Sequence, residues 1–508
     1  MPNLLRAITL RRSNPIQNPF SFFSPIATST RPAQTTTAND DPIITSVVDS
    51  LQQGHCWKTL SENFGSVKFT NPTVRKILLQ LKEPVNSKKA LTFFHWSAQE
   101  SRAEHGISSY CLLIHILVKT GLVRDAKAMI ESVLTKKFSE DNCRTLGVLD
   151  SLLDSFYTVD SVPFVFDFFV QTCAKLRIVD DILDTCKLLF DRGFPLSVIS
   201  LNTVLHVLLK SDKVRLVWGL YELMIERRIS PNEMTVKTMV GALCKEGKLE
   251  KFLCIVDRMH GNKRPAPHVI VNTCLVYEIV EEGRIERGMG LLRLMLNKNM
   301  ILDTMAYSLV VFAKVRMEDL DSAKETYEQI LRRGFKENAF VYDLFVGRSC
   351  EERRIDEAIG LLEDMERLGF KPDQTTFDWL IKSCACHGRL EDSLAFCARM
   401  IGYGLLPSCS AVNKMFGKLC ENGRTKEADE MLTILLEKGF GPNESTYSRL
   451  ISGYVKDGDM EGLTKVLFEM EYKSISSNVS GLSSEIIGLC KCGRLKEAKS
   501  ILMREGCC

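Results

Sequence analysis

Long apolar runs are missing from this chain of 508 residues. No stretch approaches the roughly eighteen uncharged apolar residues that a membrane-crossing helix needs, so a transmembrane span is not expected. Excess charge is missing too: 66 lysines and arginines face 63 acids, for a formal net charge of +3. Bulk electrostatics therefore does not mark a polyanion binder. Histidine is scarce, with 8 residues scattered without ligand spacing. The sequence holds no glycine-rich phosphate loop, no clustered carboxylates of a metal-dependent nuclease, and no His-x-Glu with Cys-x-x-Cys of a zinc deaminase. These absences argue against catalysis and against a resident cofactor or metal.

Acid is absent from residues 1–39, where Arg6, Arg11, Arg12 and Arg31 stand among Ser, Thr, Asn and Pro. A short helix over this stretch is expected to carry Leu4, Leu5, Ile8 and Leu10 on one side with arginines opposite. That is the composition of an organelle transit peptide. The arginines arrive at once, which favours the mitochondrion over the alternative, a plastid. Removing four arginines leaves the rest of the chain at 3 − 4 = −1, so any polyanion affinity depends on where charges sit.

Cysteine is abundant, with 18 residues, mostly inside apolar runs such as Leu243-Cys244 and Leu419-Cys420. They read as small core residues of a reducing compartment. Cys384 and Cys386 form a Cys-x-Cys on an expected helix, a poor zinc pair read as core plus surface. Trp57, Trp96, Trp218 and Trp379 are expected to pack between helices.

Self-similarity dominates the remainder. Gly283, Gly388, Gly423, Gly458 and Gly493 fall on one grid of 35 residues, with Glu318 and Arg353 at the grid points that lack glycine. Gly247 lies 36 residues before Gly283, and Asp212 and Arg177 continue the steps backward. Around each point an apolar-periodic segment, a turn and a second such segment follow in order, as in Tyr307–Val315 and Leu320–Leu331. Each unit closes on a helix stop: Gly334-Phe335, Gly369-Phe370-Lys371-Pro372-Asp373, Gly404-Leu405-Leu406-Pro407, Gly439-Phe440-Gly441-Pro442-Asn443. The pattern predicts an all-α chain of helical hairpins stacked into a right-handed superhelical solenoid with a concave groove.

Units begin near Ile107, Pro163, Val198, Glu233, Val269, Thr304, Ala339, Gln374, Cys409, Glu444 and Val479, and the one at Glu233 is a residue longer than the rest. The expected organisation is a transit peptide over 1–39 and a helical region with a degenerate half-repeat over 40–106. Repeat 1 follows over 107–141, then a helical insertion over 142–162, then repeats 2–11 over 163–508, the last truncated. Lys88–Phe94 looks like the second half of the degenerate repeat.

Tyr447–Ile451 follows a Tyr-x-x-Leu-Ile pattern, and Leu489–Ala498 reads Leu-Cys-Lys-x-Gly-Arg-Leu-x-Glu-Ala. With the 35-residue step and the Gly-Phe-x-Pro-Asp/Asn close, the chain resembles the pentatricopeptide repeat family in its plain, uniform subclass, the plant organellar kind. The resemblance implies single-stranded RNA from an organellar transcript, read one nucleotide per repeat and neither cut nor edited. The role implied is intron splicing, transcript stabilisation or translation, with protein co-factors of splicing or editing as possible partners. In the family the fifth and last residues of a repeat touch the base edge. They are Asn202 with Asn232, Thr273 with Asp303, Ser308 with Asn338, Asn413 with Asn443, and Ser448 with Asn478. By the same resemblance Asn/Asn favours a pyrimidine, Ser/Asn adenine and Thr/Asp guanine. Asp167 with Ser197, Lys237 with His268, Asp343 with Asp373 and Asp378 with Ser408 are unusual pairs whose bases are not assigned.

The same residue types also start and cap helices, and that reading stays open. A second phase, two residues ahead of the turn, carries Lys119, Lys175, Lys210, Lys245, Arg316, Lys456 and Lys491. Such a row suits a phosphate backbone, yet lysine is also favoured at a helix C-terminus. The functional alternative to RNA binding is a helical-repeat scaffold holding a protein segment. Residues 1–39 fused to a fluorescent reporter are expected to carry it into mitochondria; a reporter left in the cytosol would contradict that.

Overall fold

The computed structural model describes residues 41–53, 57–99, 105–136, 144–261, 264–317, 319–473, 486–491 and 493–505. The transit-peptide expectation, Glu318 and Asn478 lie outside them. Among the described residues there are helices and turns and no strand. The first four helices are α1 (Asp41–Gln52), α2 (Trp57–Phe64), α3 (Asn71–Gln80) and α4 (Ser87–Gln99). Phe69, Phe93 and Trp96 pack together there, and Trp96 donates to Ser61 Oγ at 2.9 Å.

The hairpins begin with α5 (Ile107–Lys119) and α6 (Val123–Thr135), followed by α7 (Arg144–Val159). Then come α8 (Phe164–Lys175) and α9 (Ile182–Asp191), α10 (Val198–Lys210) and α11 (Val214–Glu226), α12 (Glu233–Lys245) and α13 (Leu249–His260), and α14 (Pro267–Glu281) and α15 (Ile285–Asn297). The series continues with α16 (Asp303–Arg316) and α17 (Leu320–Arg332), α18 (Ala339–Glu351) and α19 (Ile355–Arg367), and α20 (Gln374–Cys386) and α21 (Leu390–Gly402). Last are α22 (Cys409–Glu421) and α23 (Thr425–Glu437), then α24 (Glu444–Asp457) and α25 (Met460–Tyr472), with a further helix at Leu495–Glu505.

First helices stack consecutively, from α8 on α10 through to α22 on α24. This is a solenoid, with each apolar stripe buried against its neighbours. The turns need a residue with positive φ. Gly283 and Gly388 supply it at φ 82° and 76° without steric cost. Arg177, Asp212 and Arg353 occupy the equivalent places at φ 56°, 55° and 64°. The turn geometry thus persists where glycine is missing.

Helix α7 packs along α5 in the manner of a next first helix. His115 fixes it: Nε2 donates to Leu152 O at 2.8 Å and Nδ1 accepts from Ser161 Oγ at 2.8 Å. Of the cysteines, Cys111, Cys173, Cys186, Cys274, Cys350, Cys384, Cys397 and Cys420 are buried thiols. Cys244 is exposed, which corrects its reading as core: it sits on the outward side of α12, one position off the stripe carrying Leu243. Cys386 is exposed beside buried Cys384.

Helix α13 departs from the array. Other second helices lie side by side and are joined by ion pairs, such as Arg354 with Asp321 at 3.1 Å and Arg424 with Glu391 at 2.7 Å. Across unit four these pairs skip α13: Arg284, the N-cap of α15, and Arg287 within it reach Glu222 of α11, and Arg287 reaches Glu226 at 3.0 Å. A cleft of about 600 Å³ bordered by Trp218, Glu222, Glu278 and Arg284 lies there instead. Helix α13 contacts α14, α16 and α18, the first helices of three successive units. A helix in the outer layer reaches only its own first helix and the next, so α13 lies across the inner, groove face. Val271–Val276 and Met305–Ala313 are buried without a break. An amphipathic helix covered on one side leaves a face exposed; unbroken burial requires the cover that α13 supplies.

Burial lowers the His115 pKa from 6.5 to about 4. The folded pKa lies below the unfolded one, so full stability holds above pH 6.5 and is lost as pH falls towards 4. The loss amounts to up to about 3 kcal/mol. Hydrogen exchange of Arg144–Val159 is expected to quicken over that window, and His115→Gln should flatten the dependence.

Candidate nucleic-acid interface

In units three and nine the expected reading positions meet where one unit joins the next. Asn232 is the N-cap of α12: its Oδ1 accepts from Thr235 N at 3.0 Å, and Thr235 answers at the cap backbone. The fifth residue of the preceding unit joins this cap. Asn202 Nδ2 donates to Asn232 Oδ1 at 2.9 Å, and Thr235 Oγ1 donates to Asn202 Oδ1 at 2.7 Å. The same triad recurs in unit nine: Asn413 Nδ2 donates to Asn443 Oδ1 at 3.1 Å, and Thr446 Oγ1 to Asn413 Oδ1 at 2.7 Å. Each oxygen is held by the joint, while the cap amide's own N–H groups are left over. Asn232 and Asn443 are exposed. An exposed amide held by its oxygen still has donors to offer an acceptor.

The Asp/Ser pairs are joined through one carboxylate oxygen. Asp167 Oδ1 accepts from Ser197 N at 2.9 Å, Ser197 Oγ at 2.6 Å and Ser200 Oγ, and Asp167 is buried. Asp378 Oδ1 accepts from Ser408 N at 3.0 Å. Lys237 and His268 are exposed on α12 and in the first turn of α14. Ser448 is half-buried on α24, facing a cleft.

Under α13 the expected readers are saturated. Asn338 Nδ2 donates to Tyr307 Oη at 2.9 Å and to Ser308 Oγ at 3.0 Å, while its Oδ1 accepts from Val341 N at 3.1 Å. Both amide hydrogens are therefore spent. Ser308 and Thr273 are 0% exposed and donate to Thr304 O and Val269 O, each at 2.8 Å. Asp303 sits inside the first turn of α16, one place past the cap Leu302, and so is not an N-cap as Asn232 and Asn443 are. Asp343 and Asp373 both face Arg258 of α13. The guanidinium grips both Asp343 oxygens, stands 3.7 Å from Asp373 and donates to Lys371 O at 3.1 Å. Burial raises the Asp343 pKa to about 6 against the pull of Arg258.

The row of cations has partners in the fold. Lys245 donates to Leu209 O at 2.8 Å, Arg316 to Glu281 O at 3.1 Å, Lys456 to Glu421 O at 2.7 Å and Lys491 to Val455 O at 3.0 Å. Each caps the C-terminal carbonyls of the preceding first helix, where the dipole favours a cation. Lys119 donates to Val159 O at 3.3 Å and Lys175 pairs with Glu131 at 2.7 Å. Lys210 is exposed.

Sequence reasoning missed two sets of residues. One is the third residue of four first helices, Ser200, Thr235, Thr376 and Thr446, which ties the cap to the fifth residue of the preceding unit. The spacing of three after Ser197, Asn232, Asp373 and Asn443 was the available signal. The other set lines clefts of about 410, 420 and 580 Å³ between α18, α20, α22 and α24: Trp379, Lys382, Lys414 and Arg449. Gly347 and Gly417 make room there, since a Cβ would meet the Trp379 ring at 2.7 Å and Arg449 Nη1 at 2.7 Å. Asn413, Asn443 and Ser448 open onto these clefts. No cluster of metal-ligating side chains occurs among the described residues, and no described helix is long and apolar enough to cross a membrane.

The PPR repeat family profile matches residues 196–261 and 337–386, and the PPR repeat profile matches 108–138, 445–475 and 486–504. The chain belongs to the pentatricopeptide repeat family. A mitochondrial pentatricopeptide repeat-containing protein of Arabidopsis thaliana is 44% identical over 219 residues, 43% of this chain and 39% of that protein. A second mitochondrial one from the same plant is 28% identical over 162 residues, 32% of this chain and 30% of that protein. The matched part thus spans well under half of these relatives. Among solved structures, the maize pentatricopeptide repeat protein PPR10 aligns with TM-score 0.33 and 17% identity over 92% of this chain and 73% of that one.

Removing the Thr446 hydroxyl tests the pentatricopeptide joint. Thr446→Val is isosteric and leaves Asn413 Oδ1 without its donor, at a cost of about 1–2 kcal/mol. The urea midpoint is expected to fall, and Thr446→Ser to restore most of it.

Proposed function

We propose that this pentatricopeptide repeat protein binds single-stranded RNA of an organelle, base by base, and acts in splicing, stabilisation or translation by occupying its transcript rather than by chemistry. The observation that carries the proposal is the pair of identical Asn–Asn–Thr joints at Asn202/Asn232/Thr235 and Asn413/Asn443/Thr446. Each presents a fixed amide to the groove, and the second opens beside Lys382, Lys414 and Arg449. Amides read base edges and cations neutralise phosphates. On this reading Asn202/Asn232 and Asn413/Asn443 select pyrimidines. Ser448 reads one unit further, and Asp167, Ser197, Lys237, His268, Asp378 and Ser408 lie along the same strand path. The compartment is the mitochondrion, in keeping with the Arg-bearing start and with the names of two relatives; a plastid is the alternative.

Salt-dependent retention of a randomised RNA pool on the full chain tests this. Asn443→Asp keeps the N-cap but replaces the amide donor with a carboxylate, so preference is expected to change at one nucleotide by about tenfold or more. Arg449→Ala is expected to weaken all sequences alike and lower the salt slope by about one. Lys245→Ala should do so less, because its ammonium is committed to Leu209 O and Asp212. Binding that ignores salt and RNA alike would return the groove to a protein-holding scaffold.

A further inference from the structure

The three central units do not present readers as the outer ones do. Their first helices carry a row of rings beneath α13: Phe252 of α13 meets Tyr277 at 5.6 Å, Tyr277 stacks on Phe312 at 4.6 Å, and Phe312 meets Phe340 at 6.1 Å. Polar contacts fix the register of α13 at both ends. Lys248, just ahead of it, pairs with Glu278 at 3.1 Å. His260 Nδ1 and Thr304 Oγ1 lie 2.9 Å apart, and Arg258 fills the place between Asp343 and Asp373. An α-helix is about 10 Å across with its side chains, enough to keep a strand off the positions it covers.

We propose that α13 stands in the groove in place of bases, so that the array reads RNA as two separate runs. Units two to four read one run and units eight to ten the other; units five to seven read none. Thr273, Asp303, Ser308, Asn338, Asp343 and Asp373 then serve the docking of α13 and the joints beneath it. The strand crosses over α13 without base contact, so the spacer between the runs has neither fixed sequence nor fixed length. The inference rests on the RNA reading above and goes beyond it in setting which units read.

The test is the randomised pool selected on the full chain, followed by single RNAs with altered spacers. Two enriched runs separated by unselected nucleotides are expected. Inserting or deleting one spacer nucleotide should leave affinity nearly unchanged, whereas one wrong base inside a run costs about tenfold or more. Hydrogen exchange of Leu249–His260 should stay slow with and without RNA, and Arg258→Glu, which sets like charge against Asp343 and Asp373, should quicken it. One uninterrupted enriched run with guanine then adenine at its centre overturns this inference alone. So does faster exchange in α13 on adding RNA, which would make it a displaceable cover. A pool from which nothing is retained overturns the RNA reading and this inference with it.

Discussion

A helical hairpin of this size cannot bury its apolar stripe by itself, and the rest of the molecule follows from that constraint. Each unit must lie on the next, and every junction brings the N-terminus of a new helix against the body of the previous one. Four N–H groups at that terminus need partners. The cap residue supplies one, and the fifth residue of the preceding unit is close enough to hold the cap. Stacking therefore builds the polar triad at Asn202, Asn232 and Thr235 before any ligand is considered.

Capping and reading, which the sequence leaves as rival explanations of these polar residues, are compatible: the caps that form at Asn232 and Asn443 leave room for the reading proposed above. At Asn232 and Asn443 the cap asparagine spends its oxygen on the helix and keeps its N–H groups, whereas Asn338 spends its own on Tyr307 and Ser308. A serine spends its hydroxyl on the neighbouring carboxylate, as Ser197 does on Asp167, and keeps little. The cation row follows the same economy. Lys245, Lys456 and Lys491 first satisfy carbonyls at the preceding helix end, and Lys245 pairs with Asp212 besides. Cations at the clefts, Lys414 and Arg449 among them, are set beside the amides.

The hairpins were legible because their signals are local: a repeated apolar period, a turn glycine, a glycine–proline stop. The grid even located the turns at Arg177, Asp212 and Arg353, whose positive φ breaks the usual residue rule. The pairing of fifth and last residues came from resemblance, and the third residue that locks four of the pairs went unseen although its spacing was on view. The place of α13 was not legible from its own period, since the stripe that would face an outer neighbour can equally face the groove. What distinguishes it lies elsewhere in the chain: unit four is a residue longer, it ends on Gly261 followed by Arg264-Pro265 rather than Gly-Phe-x-Pro, and α14, α16 and α18 are apolar nearly all round. Those helices show a second apolar face, and only a partner arriving from a distant part of the sequence can cover it.

Two kinds of force hold α13 there, and they do different work. The ring contacts of Phe252 and the unbroken apolar faces of α14 and α16 remove surface from water, which is favourable but tolerant of sliding. The grip of Arg258 on Asp343 is directional. Desolvating three charges offsets much of the Coulombic gain, so this cluster contributes little net stability as it stands. Without Arg258, however, Asp343 and Asp373 would face each other under a helix with no counter-charge, a loss of the kind that amounts to several kcal/mol. The apolar contacts thus fix that α13 lies in the groove, and the ion cluster fixes where. The carboxylates of unit seven, at the two phases expected to read a base, meet a guanidinium of the same chain.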